Sequence, residues 1–188
     1  MGQTELKVLV VDDDEDMRAT LMDFISRMGA KVRTAADVPD ARQILASEPS
    51  AFELVLTDLK IPGGSGLDVV KAAHLRSPET LVTIITGYAS LETAIEAVRL
   101  GAYDYITKPF SLEEIGVQVR NMMERVGLSK ENSRLSLRLQ EVYEELNRLQ
   151  CERRENLRLQ EEIRRGVCEN SRKLDRLLGI HSHSDEAG

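Results

Sequence analysis

The sequence predicts an α/β fold: a doubly wound, five-stranded parallel sheet followed by a long C-terminal α-helix. Three observations carry this. Five short apolar runs alternate with amphipathic helical stretches. Acidic or hydroxyl side chains sit where several of those runs stop. After Gly127 the chain turns to Leu, Glu, Arg, Gln and Asn, without proline and with apolar residues at heptad spacing.

The strands are expected at Lys7–Val11 (KVLVV), Lys31–Ala35 (KVRTA), Phe52–Thr57 (FELVLT), Leu81–Thr86 (LVTIIT) and Tyr103–Thr107 (YDYIT). Each is short, most are rich in β-branched residues, and most are bounded by Gly, Pro or Asp. Between them, apolar residues recur at helical spacing. Met17, Leu21, Phe24, Ile25 and Met28 share one face of a first helix, which Gly29 ends. Ala41, Ile44 and Leu45 mark a second helix before Pro49. Leu67, Val70 and Ala73 or His74 mark a third, with the weakest stripe. Leu91, Ala94, Ile95 and Val98 mark a fourth, stopped by Gly101, and Ile115, Val119 and Met122 a fifth. Asp14 and Asp16 suit the solvated start of the first helix, where acidic groups meet the positive end of the helix dipole.

At 188 residues the chain is long enough for one domain with a core and something more. It shows no signal-peptide run and no apolar stretch of membrane-spanning length. Cys151 and Cys168 are the only cysteines, so no disulfide framework is implied and a reducing, cytoplasmic setting is expected. Neither has zinc-site spacing with a histidine. His74, His181 and His183 are expected at the surface. The net charge of -7 argues against nucleic acid as a partner. That charge is uneven: 13 basic against 20 acidic side chains up to Leu128, then 12 against 10 from Ser129 to Leu178.

In a parallel sheet of this kind, ligands bind at the C-terminal ends of the strands, near the topological switch point. Asp12 and Asp13 leave the end of the first strand, and Asp58 leaves the end of the third. Three carboxylates gathered there would repel one another, and an oxygen-seeking divalent cation would cancel the repulsion. Thr86 ends the fourth strand and Lys108 follows the fifth, on the same rim.

The pieces VLVVDDDEDMR, LVLTDLKIPGGSGLDVV, VTIITGYAS and GAYDYITKPF, in that order and spacing, closely resemble the receiver domain of bacterial two-component response regulators, most of all the receivers that precede ATPase-type transcriptional activators. The resemblance covers roughly Leu6 to Arg125. It implies a flavodoxin-like strand order of 2-1-3-4-5. It implies that Asp58 is the phosphoacceptor, charged by a sensor histidine kinase or a small phosphodonor. It implies Mg²⁺ held by Asp12, Asp13 and Asp58 with the backbone carbonyl of Lys60, and Lys108 paired with a phosphoryl oxygen before a cis Pro109. Thr86 and Tyr105 would be the switch residues, Tyr105 moving inward as Thr86 turns to the phosphoryl group. Such a module is not an enzyme beyond self-phosphorylation from small donors and self-dephosphorylation. Ser65 departs from the acidic residue often found before the glycine of the GGSG loop, which leaves that loop's conformation open. Lys60 and Tyr88, two residues beyond Asp58 and Thr86, are expected to border the phosphoryl group.

From Leu128 the apolar residues follow a heptad. With Leu139 at a, the seam joins Leu135, Leu139, Val142, Leu146 and Leu149 to Ile163, Val167, Leu174 and Leu177. Arg153, Asn156 and Gln160 are polar layers between, and Leu157 and Leu159 leave a stutter open. Cys151 and Cys168 fall outside the seam. A lone helix this long would expose its leucines, so a homodimer through the helix is expected. Gly127 either ends the fifth helix or lies within a continuous one. The organisation is therefore residues 1–127 as receiver, 128–178 as coiled-coil helix and 179–188 as disordered tail. Two other readings compete: a coiled-coil scaffold with an incidental receiver, and the N-terminal fragment of a longer transcriptional regulator. No helix-turn-helix pattern, basic block or GxxxxGK[ST] loop is present, so direct DNA binding and an attached ATPase are not expected.

Overall fold

The computed structural model describes residues 6–178. The expected tail at 179–188, with His181 and His183, lies outside them. The order of elements is β1 (Lys7–Val11), α1 (Glu15–Arg27), β2 (Lys31–Ala35), α2 (Val38–Ser47), β3 (Leu54–Thr57), β4 (Lys60–Ile61), β5 (Gly64–Ser65), α3 (Gly66–Arg76), β6 (Leu81–Thr86), α4 (Leu91–Arg99), β7 (Asp104–Thr107) and α5 (Leu112–Leu177).

Five strands form one parallel sheet in the order β2-β1-β3-β6-β7, the flavodoxin-like 2-1-3-4-5 arrangement. Helices on both faces explain the unbroken apolar runs. In β1, Leu9 and Val11 enter one core with Val55, Val82 and Ile84, while Val8 and Val10 enter the other with Leu54, Leu56 and Ile85. α2 and α3 cover the first face through Ile44, Leu45, Val69 and Val70. α1 and α5 cover the second through Leu21, Ile25, Ile115, Val119 and Met122. The edge strand β2 alternates with solvent, as KVRTA predicts.

Side-chain caps fix the helix starts. Asp14 accepts from the Met17 amide and Asp37 from the Asp40 amide. Ser65 with Asp68 and Ser90 with Thr93 form reciprocal capping boxes. Gly29 takes φ 89° past the end of α1, a conformation that favours glycine.

The strand starts and the surface placement of His74 need correction, and two points the sequence left open, the loop after β3 and the facing of the α4 stripe, are decided by the structure. The strands at 52–57 and 103–107 begin later, at Leu54 and Asp104. The loop after β3 is not loose: Lys60 pairs with Ser65 and Ile61 with Gly64 in an antiparallel hairpin, turned by Gly63 at φ 79°. His74 is half-buried, its ring nitrogens 3.0 Å from the Leu100 carbonyl and 3.1 Å from the Thr80 carbonyl, so it ties α3 to the chain before β6 and to the end of α4. The apolar stripe of α4 faces outward: Leu91 is 75% and Val98 72% exposed, Ile95 is exposed too, and Ala97 is the buried residue. A helical period reveals an apolar face without saying what covers it.

The chain divides into two compact units between Lys130 and Glu131. α5 is unbroken at Gly127 and Gly166, where an added Cβ would meet nothing within 4 Å. Within the second unit the described leucines and valines of the heptad are exposed, as are Cys151 and Cys168. No helix among the described residues is long and apolar enough to cross a membrane.

Candidate functional site

Strand register assembles the site. β1 and β3 pair Val11 with Thr57, so the next residues, Asp12 and Asp58, leave the sheet at one level. The last rungs hold their backbones: the Asp58 amide donates to the Val11 carbonyl at 2.8 Å, and the Asp12 amide to the Ala35 carbonyl at 3.2 Å. At the other edge β7 pairs Thr107 with Thr86, and the Lys108 amide donates to the Thr86 carbonyl at 2.8 Å. The Lys108–Pro109 peptide is cis.

The side chains meet accordingly. Lys108 Nζ lies 2.8 Å from Asp12 Oδ2 and 2.7 Å from Asp58 Oδ2. Asp12 and Asp58 are buried, and Asp13 is exposed. Burial pulls the Lys108 ammonium toward neutrality, but its hydrogen bonds to Asp12 and Asp58 and their charges outweigh this, so its pKa stands above the ordinary 10.5. Lys108 is a fixed cation at neutral pH.

Asp12, Asp13 and Asp58 each offer a carboxylate oxygen, all within 4.8 Å of one another. A hard oxygen donor set with one face open to water fits Mg²⁺, which keeps several waters and takes few carboxylates. Asp58 Oδ1 accepts from the Lys60 amide at 3.1 Å, so both of its oxygens are engaged. Thr86 is buried, and its Oγ1 accepts from the Tyr88 amide at 3.1 Å. Tyr105 is half-buried, its hydroxyl 2.9 Å from Thr93 Oγ1 of α4.

Sequence reasoning missed several supports. Arg18 Nη1 donates to the Asp12 and Asp13 carbonyls, at 2.7 and 2.9 Å, and braces the acidic loop from α1. An arginine one turn into a helix that follows an acidic run is the only signal that could have flagged it. Gly66 packs so closely on the Asp58 carbonyl that a Cβ there would overlap it. Ser65 Oγ donates to the Leu59 carbonyl, and the Gly66 amide does so as well. Ser65 in place of an acidic residue is thus a helix cap and a loop brace. Lys60 Nζ sits 3.4 Å from the centre of the Tyr88 ring.

A family model of the response regulator receiver domain matches residues 8–120. The chain is 48% identical over 106 residues to the response regulator protein PilR of Pseudomonas aeruginosa, covering 56% of this chain and 23% of that protein. It is 36% identical to the photosynthetic apparatus regulatory protein RegA of Cereibacter sphaeroides, covering 57% and 58%. A receiver domain of Clostridium thermocellum superposes with a TM-score of 0.61 at 28% identity, covering 65% of this chain and 98% of that one. The chain thus spans about a quarter of PilR and under two thirds of RegA. Motif order, sheet topology and acidic pocket agree with these matches, and the chain belongs to the response regulator receiver family, the phosphoacceptor modules of two-component signalling.

Proposed function

We propose that Asp58 accepts a phosphoryl group from a sensor histidine kinase, or from a small phosphodonor, and that the charged receiver signals through α4 and a dimeric C-terminal helix. The observation that carries this reading is the Lys108 ammonium bridging Asp12 and Asp58 at 2.7–2.8 Å beside a third carboxylate. Membership of the family implies a cognate kinase.

Phosphoryl transfer is mainly positioning and charge neutralisation. One carboxylate oxygen of Asp58 attacks phosphorus as the bond to the donor's nitrogen or oxygen breaks, and the electron pair leaves with the donor. The Lys60 amide and Lys108 hold the Asp58 carboxylate in place beforehand. Lys108 then neutralises an equatorial phosphoryl oxygen. Asp12, Asp13, Asp58 and the Lys60 carbonyl would hold Mg²⁺, which when bound withdraws charge from phosphoryl oxygens as a Lewis acid. Arg18 keeps the acidic loop in register through two backbone carbonyls.

The phosphoryl group carries close to two negative charges in place of the carboxylate's one, together with three acceptor oxygens. Thr86 turns its hydroxyl toward them, and Tyr105, tied to α4 through Thr93, follows. The outward stripe of Leu91, Ile95 and Val98 is then the surface that changes. The exposed heptad residues from Leu135 to Leu177 support pairing of two chains along α5.

The test is incubation with acetyl phosphate and Mg²⁺, followed by intact-mass measurement. The native chain should gain one phosphoryl group and Asp58→Asn none. Equal gains would refute the assignment. Sedimentation should show a dimer at micromolar concentration, and a monomer would remove the pairing.

A further inference from the structure

The loop after β3 and the loop after β6 are joined by a contact that phosphoryl transfer does not require. Lys60 lies two residues beyond Asp58, and its amide holds Asp58 Oδ1. Tyr88 lies two residues beyond Thr86, and its amide holds Thr86 Oγ1 at 3.1 Å. The two side chains then meet, the Lys60 ammonium 3.4 Å from the Tyr88 ring centre. Among the described residues Lys60 forms no ion pair, so the ring face is its partner.

We propose that Lys60 and Tyr88 are positioning residues that clasp the switch in its resting state, and that the arriving phosphoryl group opens the clasp by drawing the Lys60 ammonium off the ring. This rests on Asp58 being the phosphoacceptor. The chain of contacts explains the coupling. Moving Thr86 Oγ1 toward Asp58 stretches its bond from the Tyr88 amide, so the Tyr88 backbone must follow or let go. A ring pinned by Lys60 resists that motion. An unmodified Asp58 already has Lys108 against it and exerts little further pull on Lys60. A phosphoryl group replaces the single carboxylate charge with close to two negative charges, carried on oxygens that project beyond the carboxylate the Lys60 amide already holds. An ionic attraction of that size outweighs a solvent-exposed cation–π contact. The same charge therefore draws the Thr86 hydroxyl and releases the restraint on it.

The experiment uses the full chain and Mg²⁺ with beryllofluoride as the phosphoryl probe. Freed of the clasp, a larger fraction of the unphosphorylated protein is competent, and apparent affinity rises by that fraction. Tyr88→Leu should tighten beryllofluoride binding about two- to fivefold, the factor that an exposed cation–π contact converts to. Tyr88→Phe, which keeps the ring, should restore the native value. In the ligand-free protein the Thr86 amide and methyl resonances of Tyr88→Leu should move toward their beryllofluoride-bound positions. A residue that merely shields the phosphoryl group from water would change its lifetime and leave those free-state resonances where they were. Binding by Tyr88→Leu at or below the native affinity, or unmoved free-state resonances, would overturn the clasp. If Asp58→Asn binds the probe as well as the native chain, the phosphoacceptor reading falls and the clasp with it. If Asp58→Asn loses binding while Tyr88→Leu gains nothing, the clasp alone falls.

Discussion

Replacing Lys108 with methionine keeps most of the side chain's length and removes the cation between Asp12 and Asp58. The two contacts are 2.8 and 2.7 Å, and the side chains are 22%, 5% and 10% exposed for Lys108, Asp12 and Asp58. At an effective dielectric constant of about 20 each contact represents about 6 kcal/mol of attraction. Most of that is offset by the cost of taking three ions out of water, several kcal/mol each. The variant is left with two facing buried carboxylates and no counter-charge, a situation that costs about 3 kcal/mol when one partner of a buried pair is removed. Mg²⁺ held by Asp12, Asp13 and Asp58 would neutralise the same two carboxylates, so the variant should recover much of the loss when the cation is supplied. At a hundredfold excess over its dissociation constant, a ligand stabilises by about 2.7 kcal/mol. The assay is urea unfolding followed by tyrosine fluorescence, in EDTA and in Mg²⁺; Tyr88, Tyr103 and Tyr105 all report on the first unit. Lys108→Met should fall about 3 kcal/mol below the native chain in EDTA, and the gap should narrow in Mg²⁺. A variant as stable as the native chain in EDTA, or a gap that Mg²⁺ leaves unchanged, would refute the view of Lys108 as counter-ion to the acidic pocket.

Gly66→Ala places a Cβ against the Asp58 carbonyl, and backbone must move; a loss of about 3 kcal/mol in urea unfolding is expected, with slower labelling by acetyl phosphate. Native-like stability and labelling would show that the loop yields freely. Hydrogen bonds from Lys7 and then Arg33 hold the Glu48 carboxyl below its ordinary 4.5. Its contribution is therefore present above that value and lost as pH falls through the lowered one. Glu48→Gln should unfold at lower urea than the native chain at pH 7, the difference closing as pH drops below about 4.5; a pH-independent difference would contradict this. Replacing Arg153, Asn156 and Gln160 together with leucine makes three polar layers of the proposed seam apolar and should raise dimer stability in sedimentation and thermal melts. A fall would place the seam elsewhere, with the stutter through Leu157 the next register to try.

The sequence by itself determined the sheet and the gathering of Asp12, Asp13, Asp58 and Lys108. Both follow from local pattern. A strand buried on both faces writes itself as a continuous apolar run, such as Val8–Val11, and parallel topology sends the residue after each such run to one rim. Edge strands are written in alternation, as in Lys31–Ala35. Asp14 was legible as a residue at the start of the first helix, and the structure adds that its side chain caps that helix by accepting from the Met17 amide. Tertiary structure alone decided the rest, because the partners are far apart in sequence. His74 reads as a surface residue until Thr80 and Leu100 supply carbonyls to both ring nitrogens. The α4 stripe is legible as an apolar helix face, but its period does not say what covers it, and the contacts that would bury Leu91 and Val98 are not made within the first unit. Ser65 reads as a departure until the hairpin brings it onto the Leu59 carbonyl and the start of α3. Gly127 reads as a joint, but an isolated glycine costs a helix only about 1 kcal/mol, and the long run of helix-forming residues around it carries α5 through. The Lys60–Tyr88 contact joins two loops 28 residues apart, at a distance that no helical or strand period encodes.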